Sequence, residues 1–248
     1  MEQRFLFITP PFTQLNTPYP ATAYLKGFFN TINITAFQAD LGIETVLKIF
    51  SSNGLLKLFQ SVNFNTQWSQ NSKRIFAIQD EYISSIDSVI HFLQGHQPTL
   101  APLICSGNYL PEASRFNQLA DLEWAFGSMG TQDKAKHLAT LYIEDIGDFI
   151  QECIDTHFGF SRYAERLGSS AHSFDTLYAA IKSEPTYVDE VMLECLEQKI
   201  TQFNPTIIGL SIPFPGNLYA GFRIAAFVKQ NYPSIKITMG GGYPNTEL

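Results

Sequence analysis

Apolar residues form short continuous runs at the N-terminus of the chain. Residues 4–9 read RFLFIT and are closed by two prolines, which is typical of a strand buried on both faces of a parallel sheet. A proline-rich loop follows. Residues 23–32 (AYLKGFFNTI) then predict a helix, and residues 32–37 predict a second strand. The N-terminal part is therefore expected to form a strand–helix–strand unit.

The same pattern returns near the C-terminus. Residues 206–212 predict a strand, residues 217–232 a helix that ends before Pro233, and residues 235–242 (IKITMGGG) a further strand. Four parallel strands in the order 2-1-3-4 would form a flavodoxin-like (Rossmann-like) α/β sheet. Ligands of such sheets bind beyond the carboxyl ends of the strands. The loops concerned are Thr9–Tyr24, Ser211–Asn217 and Gly240–Asn245.

Between these ends the apolar spacing is helical, as at Ile83, Ile86, Ile90 and Leu93. A connection of this length without structure of its own would be unusual. We therefore predict a discontinuous α/β domain of residues 1–41 and 204–248, interrupted by a helical inserted subdomain of residues 42–203.

A sheet of this class normally continues with a helix and a fifth strand after the fourth strand. The sequence runs out soon after its three glycines. An exposed edge strand is a feature that natural proteins usually protect. The expectation is a sheet that is incomplete at its C-terminus, in a chain truncated from a longer protein.

Composition and charge narrow the function classes. The net charge of -7 and the absence of a dense basic patch argue against nucleic-acid binding. Three widely spaced cysteines fit neither a disulfide framework nor a CxxC metal site, so a cytoplasmic protein is expected. The N-terminal apolar run is too short for a signal sequence or a membrane span, and no membrane partner is predicted.

The three loops carry the candidate chemistry. The glycine triplet allows close approach to a phosphate, but it equally suits a plain tight turn. No GxGxxG or GxxxxGK[ST] pattern is present, and the predicted second strand does not end in an acidic residue, since Asp40 lies beyond it. Prolines and aromatic residues in the first two loops suit a large planar ligand, or they simply cover the sheet.

Two further groups contain residue types that can bind metal ions. The acidic stretch Glu144, Asp145, Asp148 and Glu152 is interpreted as a solvated helix face. His91 and His96 have no third ligand at helical spacing and are interpreted as surface or partly buried polar residues. No metal site is predicted in this chain.

The segments ITPPFTQLNTPYPATAYLKGFF, IIGLSIPFPGNLYAGFRIAAFVK and MGGGYPNTEL together resemble the N-terminal part of cobalamin-binding radical SAM proteins. The resemblance covers both α/β pieces. It implies a flavodoxin-like domain that holds cobalamin (vitamin B12) above its strand ends. It also implies a following domain with a [4Fe-4S] cluster, bound through CxxxCxxC, and S-adenosyl-L-methionine (SAM).

Carried over to this chain, the resemblance places the loop after the first strand against the corrin ring. Residues 211–214 would line the pocket of the nucleotide tail, with Ser211 as a hydrogen-bond partner, and residues 240–242 would approach its ribose-phosphate. The cofactor-binding residues implied are Pro10, Pro11, Phe12, Thr13, Asn16, Thr17, Tyr19, Ser211, Pro213, Phe214, Gly240, Gly241, Gly242 and Tyr243. No catalytic residue is implied within this chain.

Two family features are missing. The DxHxxG motif, which supplies a histidine ligand to cobalt in the methionine-synthase type of cobalamin domain, is absent from the first loop. DTHFG at residues 155–159 is one residue short and is interpreted as coincidence, so no lower histidine ligand is expected. CxxxCxxC is also absent, and the scattered cysteines cannot hold a four-iron cluster.

The function expected is to bind and orient cobalamin as the N-terminal part of a radical SAM enzyme that acts in methyl transfer or other radical chemistry. Its partners would be its own C-terminal radical SAM domain and a substrate that the sequence does not identify. The alternative is a non-catalytic ligand-sensing or protein-interaction module on the same fold. A small-nucleotide enzyme of Rossmann type, the third possibility, lacks its glycine pattern.

Overall fold

The computed structural model describes residues 3–13, 15, 19–62, 64, 67–121, 130–161, 164–165, 167 and 174–246. Its strands are β1 (Arg4–Thr9), β2 (Thr35–Asp40), β3 (Ile207–Ser211) and β4 (Lys236–Gly240). All pairings are parallel, and the order is β2-β1-β3-β4. The predicted α/β fold, a flavodoxin-like parallel sheet with a helical insertion, is therefore confirmed.

Helices make up most of the remaining described chain. One helix, α1 (Ala21–Thr31), joins β1 to β2. Those between β2 and β3 are α2 (Leu41–Ile49), α3 (Ser52–Gln60), α4 (Gln70–Ala77), α5 (Gln79–Leu93), α6 (Ala101–Cys105), α7 (Thr131–Cys153), α8 (Asp175–Lys182) and α9 (Tyr187–Phe203). Then α10 (Leu218–Asn231) joins β3 to β4, and α11 (Gly242–Thr246) follows β4. Short 3₁₀ turns occupy Pro98–Leu100, Ser114–Asp121 and Pro215–Asn217.

The second strand lies three residues later than predicted. Helix α1 ends at Thr31, and Asn33 adopts a left-handed conformation with φ of 57°. Asparagine tolerates this conformation and ends the helical turn, so the extended backbone begins at Thr35. As a consequence Asp40 is the last residue of β2, and the prediction that no acidic residue ends this strand was wrong.

Two sets of side chains cover the sheet. Phe5 and Phe7 of β1 contact Phe29 of α1, with ring centroids 4.6 and 5.0 Å apart. On the opposite face, Phe37 of β2 stacks on Phe203 of α9 at 4.4 Å. The alternation of side chains along a strand explains why the apolar runs are continuous: each face needs its own set.

The chain forms two compact units. The sheet unit comprises Met1–Val46 and His157–Leu248, and the helical unit comprises Leu47–Thr156. Residues 157–203, which the sequence pattern assigned to the insertion, group with the sheet. The reason is that α8 and α9 both pack on α10, the crossover helix between β3 and β4.

A buried ion pair stabilises this packing within the sheet unit. Arg223 of α10 donates from Nη2 and Nε to Asp189 Oδ2 of α9, at 3.0 and 3.2 Å. The Tyr219 hydroxyl donates to the same oxygen at 2.8 Å. Arg223 Nη1 also donates to the carbonyl oxygens of Ile181 and Ser183. Burial, followed by the charge of Asp189, raises the pKa of Tyr219, so this hydroxyl remains a donor.

In the helical unit, α7 is the longest helix and contributes many of the buried side chains. Its residues Tyr142, Ile146, Phe149 and Ile150 are fully buried, as the helical spacing predicts. Ser51 and Ser69 cap α3 and α4 by accepting from backbone N–H groups. Of the helices in the described ranges, none is both long and apolar enough to cross a membrane.

Candidate functional site at the carboxyl ends of the strands

Four residues form a row across the carboxyl end of the sheet. Asp40 of β2 pairs with Thr9 of β1, and Ser211 of β3 pairs with Gly240 of β4. Thr9 and Ser211 directly follow the paired residues Ile8 and Leu210. Because paired residues of a parallel sheet point to the same face, the polar side chains of Asp40, Thr9 and Ser211 lie side by side.

This row crosses the topological switch point of the sheet, where the strand order reverses. The connection from β1 leads to β2 on one side, and the connection from β3 leads to β4 on the other. The crevice between β1 and β3 is therefore the position at which sheets of this class bind ligands. Of the two row residues that face it, Ser211 was predicted, whereas Thr9 appeared only as the first residue of a loop.

The hydroxyl group of Thr9 is buried and has no hydrogen-bond partner among the described residues. The hydroxyl of Ser211 also makes no hydrogen bond within the part of the chain that the structure describes, and its residue is buried. An unpaired buried hydroxyl costs about 1–3 kcal/mol. A ligand that hydrogen-bonds to Thr9 would remove this cost, so the hydroxyl is a candidate contact.

Asn217 joins the two walls of the crevice. It precedes α10, and its Nδ2 donates to the Pro10 carbonyl oxygen at 2.7 Å. Its Oδ1 is buried and has no partner among the described residues. The sequence placed Asn217 at the end of a candidate loop without assigning it a role. In the sequence, its position immediately before an apolar helix is the feature that could have identified Asn217 as a candidate.

Asp40 has a different role from its neighbours in the row. Its Oδ1 accepts from the backbone N–H of Ile43 at 3.1 Å, at the start of α2. Burial raises the pKa of Asp40, and the backbone hydrogen bonds from Ile43 and Gly42 oppose this effect. The carboxylate therefore stabilises the turn into α2. It occupies the position of the acidic residue in dinucleotide-binding sheets, but the accompanying glycine pattern is absent from the sequence.

The residues predicted in the first loop are distributed between the core and the surface. Phe12 is 1% exposed and its ring lies 5.8 Å from that of Phe158, so it packs in the core. Pro10, Pro11 and Thr13 are also buried, and Tyr19 is half-buried. Asn16 and Thr17 lie outside the described residues.

In the second loop, Pro213 is buried, whereas Phe214 is 55% exposed. The Phe214 ring lies 6.1 Å from that of Tyr19, in an edge-to-face arrangement. The structure thus brings together one aromatic residue from each loop beside the crevice. This pair offers an aromatic surface of the kind that the sequence predicted for a planar ligand.

The glycine triplet is explained in part by contacts between loops. Gly241 has φ of +125°, and a Cβ atom at this position would lie 2.5 Å from the Ile212 carbonyl oxygen. The Tyr243 N–H donates to that oxygen at 3.2 Å, and the Ile212 N–H donates to the Gly240 carbonyl oxygen at 2.7 Å. Gly241 is therefore required by the neighbouring loop. Gly240, which ends the row, has open space where a side chain would be.

A separate cavity of about 600 Å³ lies at the amino ends of the strands in the sheet unit. Arg4, Thr206 and Lys236 are among the residues that line it. Arg4 Nε and Nη2 donate to the Phe203 carbonyl oxygen, and Thr206 bonds to the backbone of Arg4. Since the side chains of Arg4 and Thr206 are already paired, we place the candidate site at the carboxyl ends.

The interpretation of the acidic stretch as a solvated face was wrong for one residue. Asp145 is fully buried, because the segment around Arg115 covers it. Glu144 and Asp148 pair with Arg115, and Glu152 accepts from the Ser69 and Ser72 hydroxyls. In the described ranges, no group of three or more His, Cys, Asp or Glu side chains is placed to hold a metal ion.

His91 and His96 are both exposed, as predicted, and their rings lie 6.4 Å apart.

Comparison with protein-family profiles, with curated proteins and with solved structures found no match to this chain. The fold and the geometry of the crevice are therefore the observations on which a function can be argued.

Proposed function

We propose that the sheet unit binds cobalamin beyond the carboxyl ends of β1 and β3. The observation that carries the proposal is the buried, unpaired hydroxyl of Thr9 beside Ser211 in the row at the crevice. The sheet order supports it, because this crevice is where flavodoxin-like sheets bind large cofactors. The identity of the ligand comes from the sequence resemblance.

The residues present fit the outer groups of cobalamin, which are amides and a phosphate. The hydroxyls of Thr9 and Ser211 can donate to them, and Asn217 Oδ1 can accept from an amide. Phe214 and Tyr19 would contact an apolar part of the ligand. Residues 10–20 contain no histidine, so this loop supplies no imidazole to cobalt.

When bound, cobalamin would supply a methyl-carrier function, and this chain would bind and orient it. We propose that the chain belongs to a longer cytoplasmic radical SAM protein. The [4Fe-4S] cluster, SAM and the substrate would then be held by the following domain, which is the proposed partner. The three cysteines of this chain are too widely spaced to hold such a cluster.

Titration of the purified chain with hydroxocobalamin, followed by the visible spectrum, tests the proposal. We expect saturable binding with a spectrum that shows no histidine-dependent change. If the chain does not bind, the same titration on the full-length gene product decides the matter. A longer protein that also ignores cobalamin would refute the proposed ligand.

Thr9→Val separates a ligand contact from a structural role. Valine keeps the shape of threonine but removes the unpaired hydroxyl, so we expect the free chain to gain about 1 kcal/mol of stability and lose affinity for cobalamin. Thr206→Val is the matched control. The Thr206 hydroxyl accepts from the Arg4 N–H at 3.0 Å, so its loss should lower stability and leave affinity unchanged. Equal affinity in wild type and Thr9→Val would exclude Thr9 as a contact.

A second candidate function, the protein-interaction module, is favoured by the outer face of α1. Tyr24 is 77% exposed and Phe28 is 59% exposed, one turn apart, and Ile32 follows at the same spacing. Contiguous exposed apolar surface of this kind commonly marks an interaction site. If copies of the chain associate through it, light scattering will show a concentration-dependent mass that Tyr24→Ser/Phe28→Ser abolishes. A wild-type chain that stays monomeric would contradict self-association.

A further inference from the structure

A cleft of about 340 Å³ lies in the helical unit, and none of its lining residues belongs to the candidate site of the sheet unit. One wall is formed by α4, with Gln70, Asn71 and Arg74. The other wall is the segment of residues 112–117, which includes Glu112 and Asn117. The volume is at the lower end of the range of about 300–1,000 Å³ that is usual for small-molecule sites.

Hydrogen bonds hold the two walls together. Arg74 Nε donates to the Glu112 carbonyl oxygen at 3.0 Å, and the Ser114 N–H donates to Asn71 Oδ1 at 2.9 Å. Next to the cleft, Arg115 makes a bidentate ion pair with Asp148 of α7, with both distances 2.8 Å. The cleft is therefore preorganised, which lowers the cost of ordering it around a ligand.

The first wall presents donors that the protein does not use. Nη1 and Nη2 of Arg74 have no partner among the described residues, since only its Nε is engaged. Asn71 uses its Oδ1 for Ser114, which leaves its Nδ2 as a donor. A guanidinium with two free terminal nitrogens matches the two oxygens of a carboxylate.

The second wall adds a negative charge. Glu112 lines the same cleft, yet no ion pair joins it to Arg74 or to any other positively charged side chain in the described ranges. The neighbouring acids Glu144 and Asp148 instead both form ion pairs with Arg115. Arg74 and Glu112 thus line one cleft without an ion pair between them. Both charged groups are therefore available to a ligand that carries a positive and a negative charge.

We propose that this cleft binds a small zwitterion of the amino-acid type. Its carboxylate would pair with the free terminal nitrogens of Arg74, and its ammonium group with the Glu112 carboxylate. The side-chain amides of Gln70 and Asn117, which also line the cleft, would contact a polar ligand side chain. The proposal concerns the helical unit and does not depend on cobalamin binding.

The test is two-dimensional ¹H–¹⁵N NMR of the full chain, titrated with pools of the common L-amino acids, with sodium acetate and with methylammonium chloride. We expect at least one amino acid to shift the amide signals of residues 70–74 and 112–117 in a saturable manner. That amino acid should bind at least about tenfold more tightly than acetate or methylammonium, which each offer one of its two charges.

Three variants assign the two charges. Arg74→Gln and Glu112→Gln should each lower the affinity for the amino acid by at least about tenfold. Glu112→Gln should leave the affinity for acetate unchanged. Lys73→Gln is the control, because it makes the same charge change one residue away on an exposed side chain that does not line the cleft. Failure of every pool to produce saturable shifts, acetate binding as tightly as the best amino acid, or equal losses in Lys73→Gln and Arg74→Gln would each overturn the proposal.

Discussion

Replacement of Asp145 by asparagine should change how the stability of the protein depends on pH. Asp145 Oδ1 accepts from the backbone N–H of Arg115 at 3.2 Å, and Oδ2 is buried with no partner among the described residues. Burial raises the pKa of Asp145 to about 6, against backbone hydrogen bonds from Arg115 and Ala113 that lower it. Asparagine keeps an acceptor at Oδ1 and the same shape, but it carries no charge.

The sign of the effect follows from the folded state holding its proton more tightly. Between the unfolded value of about 3.8 and the folded value of about 6, the folded state binds more protons, so stability falls as pH rises. At about 1.36 kcal/mol for each pKa unit, the loss is at most about 3 kcal/mol, complete above pH 6. The stability that neutral Asp145 contributes is present below the unfolded value and lost through this window.

The assay is urea denaturation followed by far-UV circular dichroism, for wild type and Asp145→Asn, at intervals from pH 4 to 7.5. All other ionisable side chains are common to both proteins, so their contributions largely cancel in the difference. We expect the variant to gain stability relative to wild type as pH rises from 4 to 6, and the difference to level off above that. A constant difference would refute the reasoning, and the opposite trend would show that Arg115 stabilises an ionised Asp145.

Two further predictions concern the sheet unit. Gly241→Ala should lower the free energy of unfolding by about 1–3 kcal/mol, because φ is +125° and the new Cβ would meet the Ile212 backbone, whereas Gly240→Ala should change it little; thermal melts that show equal losses would contradict this. Arg223→Leu should cost about 3–5 kcal/mol, because it leaves the buried charge of Asp189 uncompensated. Lys229→Leu, on the exposed face of the same helix, is the control, and a comparable loss there would remove the ion pair as the cause.

The architecture of the sheet was largely predictable from the sequence. Continuous apolar runs such as RFLFIT identify strands buried on both faces, and helical connections between parallel strands leave few strand orders. The position of β2 was less predictable, because it depends on the left-handed conformation of Asn33, and an asparagine near a helix end does not always adopt that conformation. Because the strand lies three residues later than predicted, Asp40 is its last residue.

The candidate site was predictable only as a region. Parallel topology alone places the loops after β1 and β3 together, and Ser211 could be named on that basis. That Thr9 lies beside Ser211 with an unpaired hydroxyl depends on the strand register and on which groups the neighbouring loops satisfy. Phe12 resembled a ligand wall in sequence, but it packs against Phe158, a residue far away in the chain.

Charged residues show the same division between local and long-range information. Helical spacing indicates that Glu144, Asp145 and Asp148 share a helix, but it does not say what covers that helix. Arg115, about 30 residues earlier in the chain, pairs with two of them and buries the third. Local patterns thus determined most helices and strands of this protein, since hydrophobic periodicity acts over short distances, and the rules for crossovers in parallel sheets then favoured one strand order. The tertiary structure decided which polar groups are buried, paired or left free, because those outcomes depend on partners distant in sequence.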